Sequence, residues 1–153
     1  MTLYHRILVP LDGSATAERG LREAIGLGGD QAATLHLLHV MDDYPMSAVR
    51  APVIGFQDTL DGLRRHGDAL LAKARRLAAE AGVAAQTSLR EATLETVAET
   101  IIDEARTTAC DLIVMGTHGR RGVSRLTMGS EAEAVARTSP VPVLLVRQPE
   151  DAS

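Results

Sequence analysis

Aromatic side chains are almost missing from this sequence: it has no tryptophan and only Tyr4, Tyr44 and Phe56. A core must therefore be built from Leu, Val, Ile and Ala, which suits helices packed on a buried parallel sheet. Lysine is just as scarce. Lys73 is the only one, and a net charge of -4 gives no general attraction to polyanions, so nucleic acid is a poor candidate partner. The single cysteine, Cys110, excludes an intramolecular disulfide. It has no nearby His or charged partner to activate it and reads as a small buried thiol. No apolar run approaches the roughly 20 residues of a membrane-spanning helix, and MTLYHRILVP lacks the charged and apolar regions of a signal peptide. A cytoplasmic protein without membrane contact is expected.

What is present is an alternation of apolar segments and turn signals. The 153 residues fit one domain, expected over 1–148, with a frayed tail at 149–153. Residues 4–11 predict a strand that ends at Asp12, Gly13 and Ser14, a turn and helix cap. Ala17, Leu21, Ala24 and Ile25 then recur at helical spacing, with Gly28 and Gly29 as the expected stop. A second strand is expected at 34–41. Residues 42–59, with Pro45, Pro52 and Gly55, predict a long loop. The stripe Leu60, Leu63, Leu70, Leu71, Ala74, Leu77, Ala78 and Ala81 predicts the longest helix, ended by Gly82. A third strand is placed at 83–89. Thr93 is the expected cap of a helix with Leu94, Val97, Ala98, Ile101, Ile102 and Ala105 inward. DLIVMG at 111–116 is the fourth strand. Ser130 to Thr138 predict a helix with Ala132, Val135 and Ala136 inward, and 140–147 is the fifth strand.

Such alternation argues for a parallel sheet covered on both faces by helices, with right-handed crossovers. Ligands of these sheets bind beyond the carboxyl ends of the strands, where strand order reverses. The turns after the first and fourth strands are the most distinctive, so the crevice belongs between them.

The second of these turns reads GTHGRRGVSRLTMGS, from Gly116 to Ser130. Its glycines, Gly116, Gly119 and Gly129, have the spacing G-x2-G-x9-G, with a serine and a helix immediately after. Glycines let backbone N–H groups approach an anion, Ser130 adds a hydroxyl, and a helix N-terminus supplies partial positive charge. Arg120, Arg121 and Arg125 add guanidinium groups. The alternative is a structural turn followed by a helix cap. Other nucleotide patterns fail: no GK[ST] is present, the first turn is PLDGSA rather than G-x-G-x-x-G, and the third strand ends SLREA without a phosphoacceptor aspartate. Asp12 reads equally as a metal ligand, a ribose acceptor or a turn residue. His36 and His39, three apart on a strand, point to opposite faces and so make no metal pair.

DGS after the first strand, HV at the end of the second, and GTHGRRGVSRLTMGS followed by PVPVLLV together resemble the universal stress proteins, in particular their ATP-binding branch. The resemblance spans Arg6 to Arg147. It implies an α/β fold of the adenine nucleotide alpha hydrolase type, Rossmann-like, with a five-stranded parallel sheet in the order 3-2-1-4-5. The implied ligand is ATP, or ADP or AMP, with Mg2+ or Mn2+ on the phosphates. The implied contacts are Pro10 and Asp12 beside the adenosine, Val40 meeting adenine through its backbone, and Met115 packing nearby. Gly116, His118, Gly119, Gly129 and Ser130 would surround the phosphates, with Arg120 and Arg121 alongside. One residue departs from the pattern: Glu131 follows the serine, where many relatives carry a small apolar residue. A carboxylate there favours the helix dipole but repels a bound anion. The implied role is a nucleotide-dependent regulatory or stress-response module that acts on an unidentified partner, as a homodimer joined through the last strand. A slow ATPase is a second reading, with Asp12 positioning a cation and His118 moving protons, although no nucleophile and base pair accompanies the loop. A nucleotide-free dimeric scaffold is the third.

Overall fold

The computed structural model describes residues 2–42, 53–118 and 128–148, apart from the side chains of 53–59. Its elements in chain order are β1 (Arg6–Pro10), α1 (Ala15–Gln31), β2 (Thr34–Met41), α2 (Val53–Glu80), β3 (Ala85–Glu91), α3 (Val97–Thr107), β4 (Leu112–Gly116), α4 (Ser130–Thr138) and β5 (Val143–Val146). The strands form one sheet in the order β3-β2-β1-β4-β5. Every pairing is parallel, with Ile7 opposite Leu35 and Leu112, and Gly116 opposite Val146.

Alternate residues of each strand face opposite sides, which divides the core into two layers. Ile7, Val9, Leu35, Leu37, Leu112 and Val114 meet Ala17, Leu21 and Ala24 of α1 and Leu71, Ala74 and Ala78 of α2. On the other face Leu8, Leu38, Ile113 and Met115 meet Ala98, Ile101 and Ala105 of α3 and Ala132 and Val135 of α4. Each fully buried Leu, Ile or Val contributes on the order of 2 kcal/mol of apolar transfer free energy. Small alanines on all four helices let them sit close to the sheet, which explains how a core nearly devoid of aromatics is filled. Among the described residues no helix is long and apolar enough to cross a membrane.

Several element boundaries differ from those the sequence predicts. Helix α1 runs through Gly28 and Gly29 to Gln31 and ends at Ala32, whose φ is 55°. Gly28 is buried instead of terminating the helix: a Cβ there would lie 3.1 Å from Val83 and 3.2 Å from Leu35. Helix α2 begins at Val53, well before the expected Leu60, so part of the predicted 42–59 loop is helical. Residues 43–52 and the tail at 149–153 lie outside the described residues. Strand β3 is shifted two residues, to Ala85–Glu91, and as an edge strand it is only partly buried. Helix α3 is capped by Thr96, not Thr93, through a reciprocal box in which Thr96 accepts from Glu99 N–H and the Glu99 carboxylate accepts from Thr96 N–H. Leu94 is therefore outside the helix and fully exposed. Helix α4 has the predicted bounds, but Ala136 is exposed and Ala134 packs in its place.

Candidate functional site

Strands β1 and β4 are neighbours, but the chain leaves β1 through α1 toward one face and leaves β4 toward α4 on the other. Their carboxyl ends diverge and open a crevice of about 240 Å³. Pro10, Leu11 and Asp12 form one wall, and His39, Val40 and Asp42 at the end of β2 extend it. Met115, Gly116 and His118 follow β4. Gly129, Ser130, Glu131 and Ala132 of the α4 N-terminus close the far side.

Local hydrogen bonds set these walls. The Asp12 carboxylate accepts the Ser14 N–H at 2.9 Å, a side-chain turn that carries the chain into α1. Ser14 Oγ in turn accepts the Ala17 N–H at 3.1 Å and caps that helix. The Leu11 N–H donates to the Leu38 carbonyl at 2.7 Å, prolonging the β1–β2 pairing beyond the strand. His39 Nδ1 donates to the Leu11 carbonyl at 2.7 Å, and its ring meets His66 of α2 edge-on, with centroids 6.3 Å apart.

The α4 side differs in one respect. Helices α1 and α3 are capped by the side chains of Ser14 and Thr96, whereas the N-cap of α4 is Gly129, which has none to offer. The first-turn N–H groups of α4 have no intrahelical acceptor, and this turn lines the crevice. It thus presents donors and the positive end of a helix dipole to an anion. The Gly129 N–H donates to the Thr117 carbonyl at 2.7 Å and the Thr117 N–H to the Val146 carbonyl at 3.0 Å, which ties the start of α4 to the end of β4 and β5. Ser130 Oγ donates to Glu131 Oε2 at 3.2 Å. Three carboxylates, Asp12, Asp42 and Glu131, line the crevice, and no Lys or Arg does so among the described residues.

Nine of the residues singled out in the sequence, Pro10, Asp12, Val40, Met115, Gly116, His118, Gly129, Ser130 and Glu131, meet in this one crevice. Gly119, Arg120 and Arg121 lie outside the described residues, as does Arg125. Leu63 and His66 of α2 and Val97 and Ile101 of α3 also line it, although the sequence does not mark them as site residues. They arrive from helices far away in sequence and carry no local motif. Gly116 also has a packing reason to be glycine: a Cβ there would lie 2.6 Å from Thr16 Cγ2 and 2.8 Å from the Thr16 backbone. Its lack of a side chain serves the packing of α1 on β4.

The remaining chemistry-bearing residues lie elsewhere. His36 and His39 are both buried on opposite faces of β2. His36 Nε2 lies 2.7 Å from Glu104 Oε2 and, facing a carboxylate, is the donor. Arg90 joins Glu104 at 3.2 Å and Asp103 at 2.8 Å. Burial pushes the Glu104 carboxyl up, but hydrogen bonds from His36, Ser88 and Arg90 outweigh it and hold it below the ordinary carboxylate range. Cys110 is buried, and burial pushes its thiol up, leaving it protonated and inert at neutral pH. Among the described residues no three His, Cys, Asp or Glu side chains are gathered to hold a metal.

Comparison with known proteins places this geometry in a family. Residues 3–147 match the model of the universal stress protein family. Universal stress protein MJ0531 of Methanocaldococcus jannaschii is 33% identical over 149 residues, covering 97% of this chain and 85% of that protein. The solved structure of universal stress protein UspA from Lactobacillus plantarum superposes with a TM-score of 0.82 at 27% identity, over 96% of this chain and 100% of that one. At 16% identity the fold is shared with an Arabidopsis thaliana universal stress protein family member solved with AMP bound, with a TM-score of 0.70 over 97% of this chain and 94% of that one. The chain described here belongs to the universal stress protein family.

Proposed function

We propose that the crevice between β1 and β4 binds an adenine nucleotide and that the protein is a nucleotide-dependent regulatory module whose partner responds to the ligand state. The observation that carries this reading is the first turn of α4, which has a glycine N-cap, no intrahelical acceptor for its N–H groups, and a position on the crevice wall. The AMP bound to the Arabidopsis thaliana relative supports the choice of ligand. In this reading Pro10, Val40 and Met115 flank the adenine and Asp12 takes the ribose hydroxyls. Gly116, His118, Gly129 and Ser130 surround the phosphates, together with Gly119, Arg120 and Arg121.

A divalent cation, Mg2+ or Mn2+, accompanies ATP rather than waiting in the protein. The crevice has carboxylates but no gathered cage of ligands among the described residues, which fits a cation held mainly by phosphates and water. Calorimetric titration with Mg-ATP and with AMP tests the reading: saturable heat and thermal stabilisation are expected, and the absence of both contradicts it. Phosphate release from ATP at the blank rate is expected for a module of this kind.

We also propose a homodimer through β5, an edge strand that exposes Leu144 to 39%. Sedimentation should give a dimer mass, and a monomer at all concentrations contradicts this arrangement.

A further inference from the structure

We propose that His39 is a positioning residue for the ligand: it ends the β1–β2 ladder one rung early and so keeps the backbone N–H of Val40 for the base of the nucleotide. This role rests on the adenine nucleotide reading and deepens it.

In a parallel ladder, alternate residues of one strand bond to the same neighbour at even spacing. Between β1 and β2 the rungs run from Thr34, whose N–H donates to the His5 carbonyl at 2.9 Å, to Leu11, whose N–H donates to the Leu38 carbonyl at 2.7 Å. The next rung would join the Val40 N–H to the Leu11 carbonyl. Among the described residues that rung is not formed, and the Leu11 carbonyl accepts instead from His39 Nδ1 at 2.7 Å. Leu11 is buried, so its carbonyl needs a donor, and a side chain supplies it in place of the backbone. Beyond Leu11 the chain turns away at Asp12 and Gly13, whose φ is 86°, and the β1 edge of β2 lies open at Val40, which is partly buried and lines the crevice. The N–H and carbonyl of one residue on that edge form a donor and acceptor pair, which suits the N1 and N6 edge of adenine. Helix α2 holds the imidazole in its pose. His66 meets the ring edge-on with centroids 6.3 Å apart, and a Cβ at Gly67 would lie 2.8 Å from His39 Cδ2. Glycine inside a helix is otherwise unfavourable, and here it makes room for the ring.

The test compares the full-length wild type with His39→Asn and His39→Leu by amide hydrogen exchange and by calorimetric titration with AMP. Asparagine keeps an N–H donor one bond beyond Cγ, where His39 Nδ1 sits, whereas leucine fills the space without one. In the free wild type the Val40 amide should exchange much faster than that of Leu38 within the ladder, and saturating AMP should slow it on the order of tenfold or more. In His39→Leu the buried Leu11 carbonyl takes the Val40 N–H, so this amide should be protected without ligand and AMP affinity should fall on the order of tenfold, while asparagine should hold affinity within about threefold. A Val40 amide as protected as Leu38 in the free wild type would overturn this role, and that comparison decides even if leucine prevents folding. Unchanged AMP affinity in His39→Leu would also overturn it, as would a loss of affinity with the Val40 amide still unprotected, which marks a merely structural effect. Failure of the wild type to bind AMP would instead remove the nucleotide reading, and the role of His39 with it.

Discussion

Alanine at position 116 should destabilise the protein, because its methyl group has nowhere to go. The added Cβ would meet Thr16 Cγ2 at 2.6 Å and the Thr16 carbonyl carbon and oxygen at 2.8 Å. A rotamer change of Thr16 relieves the first contact only, since the other two are with backbone. The N-terminal turn of α1 must move away from β4, loosening the packing of Gly20, whose own missing Cβ would lie 3.3 Å from the Gly116 nitrogen. Overpacking of this kind costs about 2–3 kcal/mol, which lowers Tm by roughly 5–10 °C for a domain of this size. Gly26→Ala is the internal control: position 26 lies on the exposed face of the same helix, with nothing within 4 Å of an added methyl, so alanine should stabilise by about 0.5–1 kcal/mol. Urea unfolding of the three proteins measures both changes. A Gly116→Ala protein as stable as the wild type would refute the packing account and return glycine 116 to a phosphate-contact role alone.

Other outcomes follow from the buried polar groups and from α3. Glu104→Ala should cost about 3 kcal/mol in urea unfolding, because it leaves the buried His36 N–H without its acceptor and deprives Arg90 of a partner. Glu104 and Asp111 both have carboxyls held below their ordinary range, Asp111 despite its partial burial because it accepts the N–H groups of His5 and Arg6. Stability from such groups is complete above the unfolded carboxyl value and is lost as pH falls through the lower folded one, so the urea midpoint should hold from pH 7 to about pH 5 and decline below. Glu104→Gln should make that decline shallower, and an unchanged slope would show that the pair does not govern acid unfolding. Leu94→Ser should change stability by less than about 0.5 kcal/mol, whereas the loss of a core leucine would cost several times more in the same assay.

The contrast over Leu94 shows where the sequence is legible. An apolar residue three positions before Val97 extends the helical stripe perfectly well, and Thr93 is an acceptable cap. The deciding signal is nevertheless local: Thr96 is followed three residues later by Glu99, the pattern of a capping box, and Thr93 is not. Other differences have no local signal. Gly28 reads as a helix stop until Val83 and Leu35 are seen to occupy the space beside it. Glu104 lies on the inner face of α3, and its partners His36 and Arg90 come from two different strands. The crevice is more legible than the helices, because parallel strands deliver their end residues to one place once their order is known. Asp12, Val40 and Gly116 need only that order, while His66 and Leu63 need the packing angle of α2, which depends on tertiary contacts.

Occupation of this crevice by a nucleotide is tested most directly by an amide NMR titration of the isotopically labelled full chain with AMP. Saturable shifts are predicted for Val40, Gly116, Gly129, Ser130 and Glu131, with the first-turn amides of α4 among the largest. Gly26 on the exposed face of α1 and Gln86 near the start of β3 should stay in place. Shifts centred elsewhere, for instance around Lys73 between α1 and α2, would contradict the site, and an unchanged spectrum at millimolar AMP would contradict the ligand.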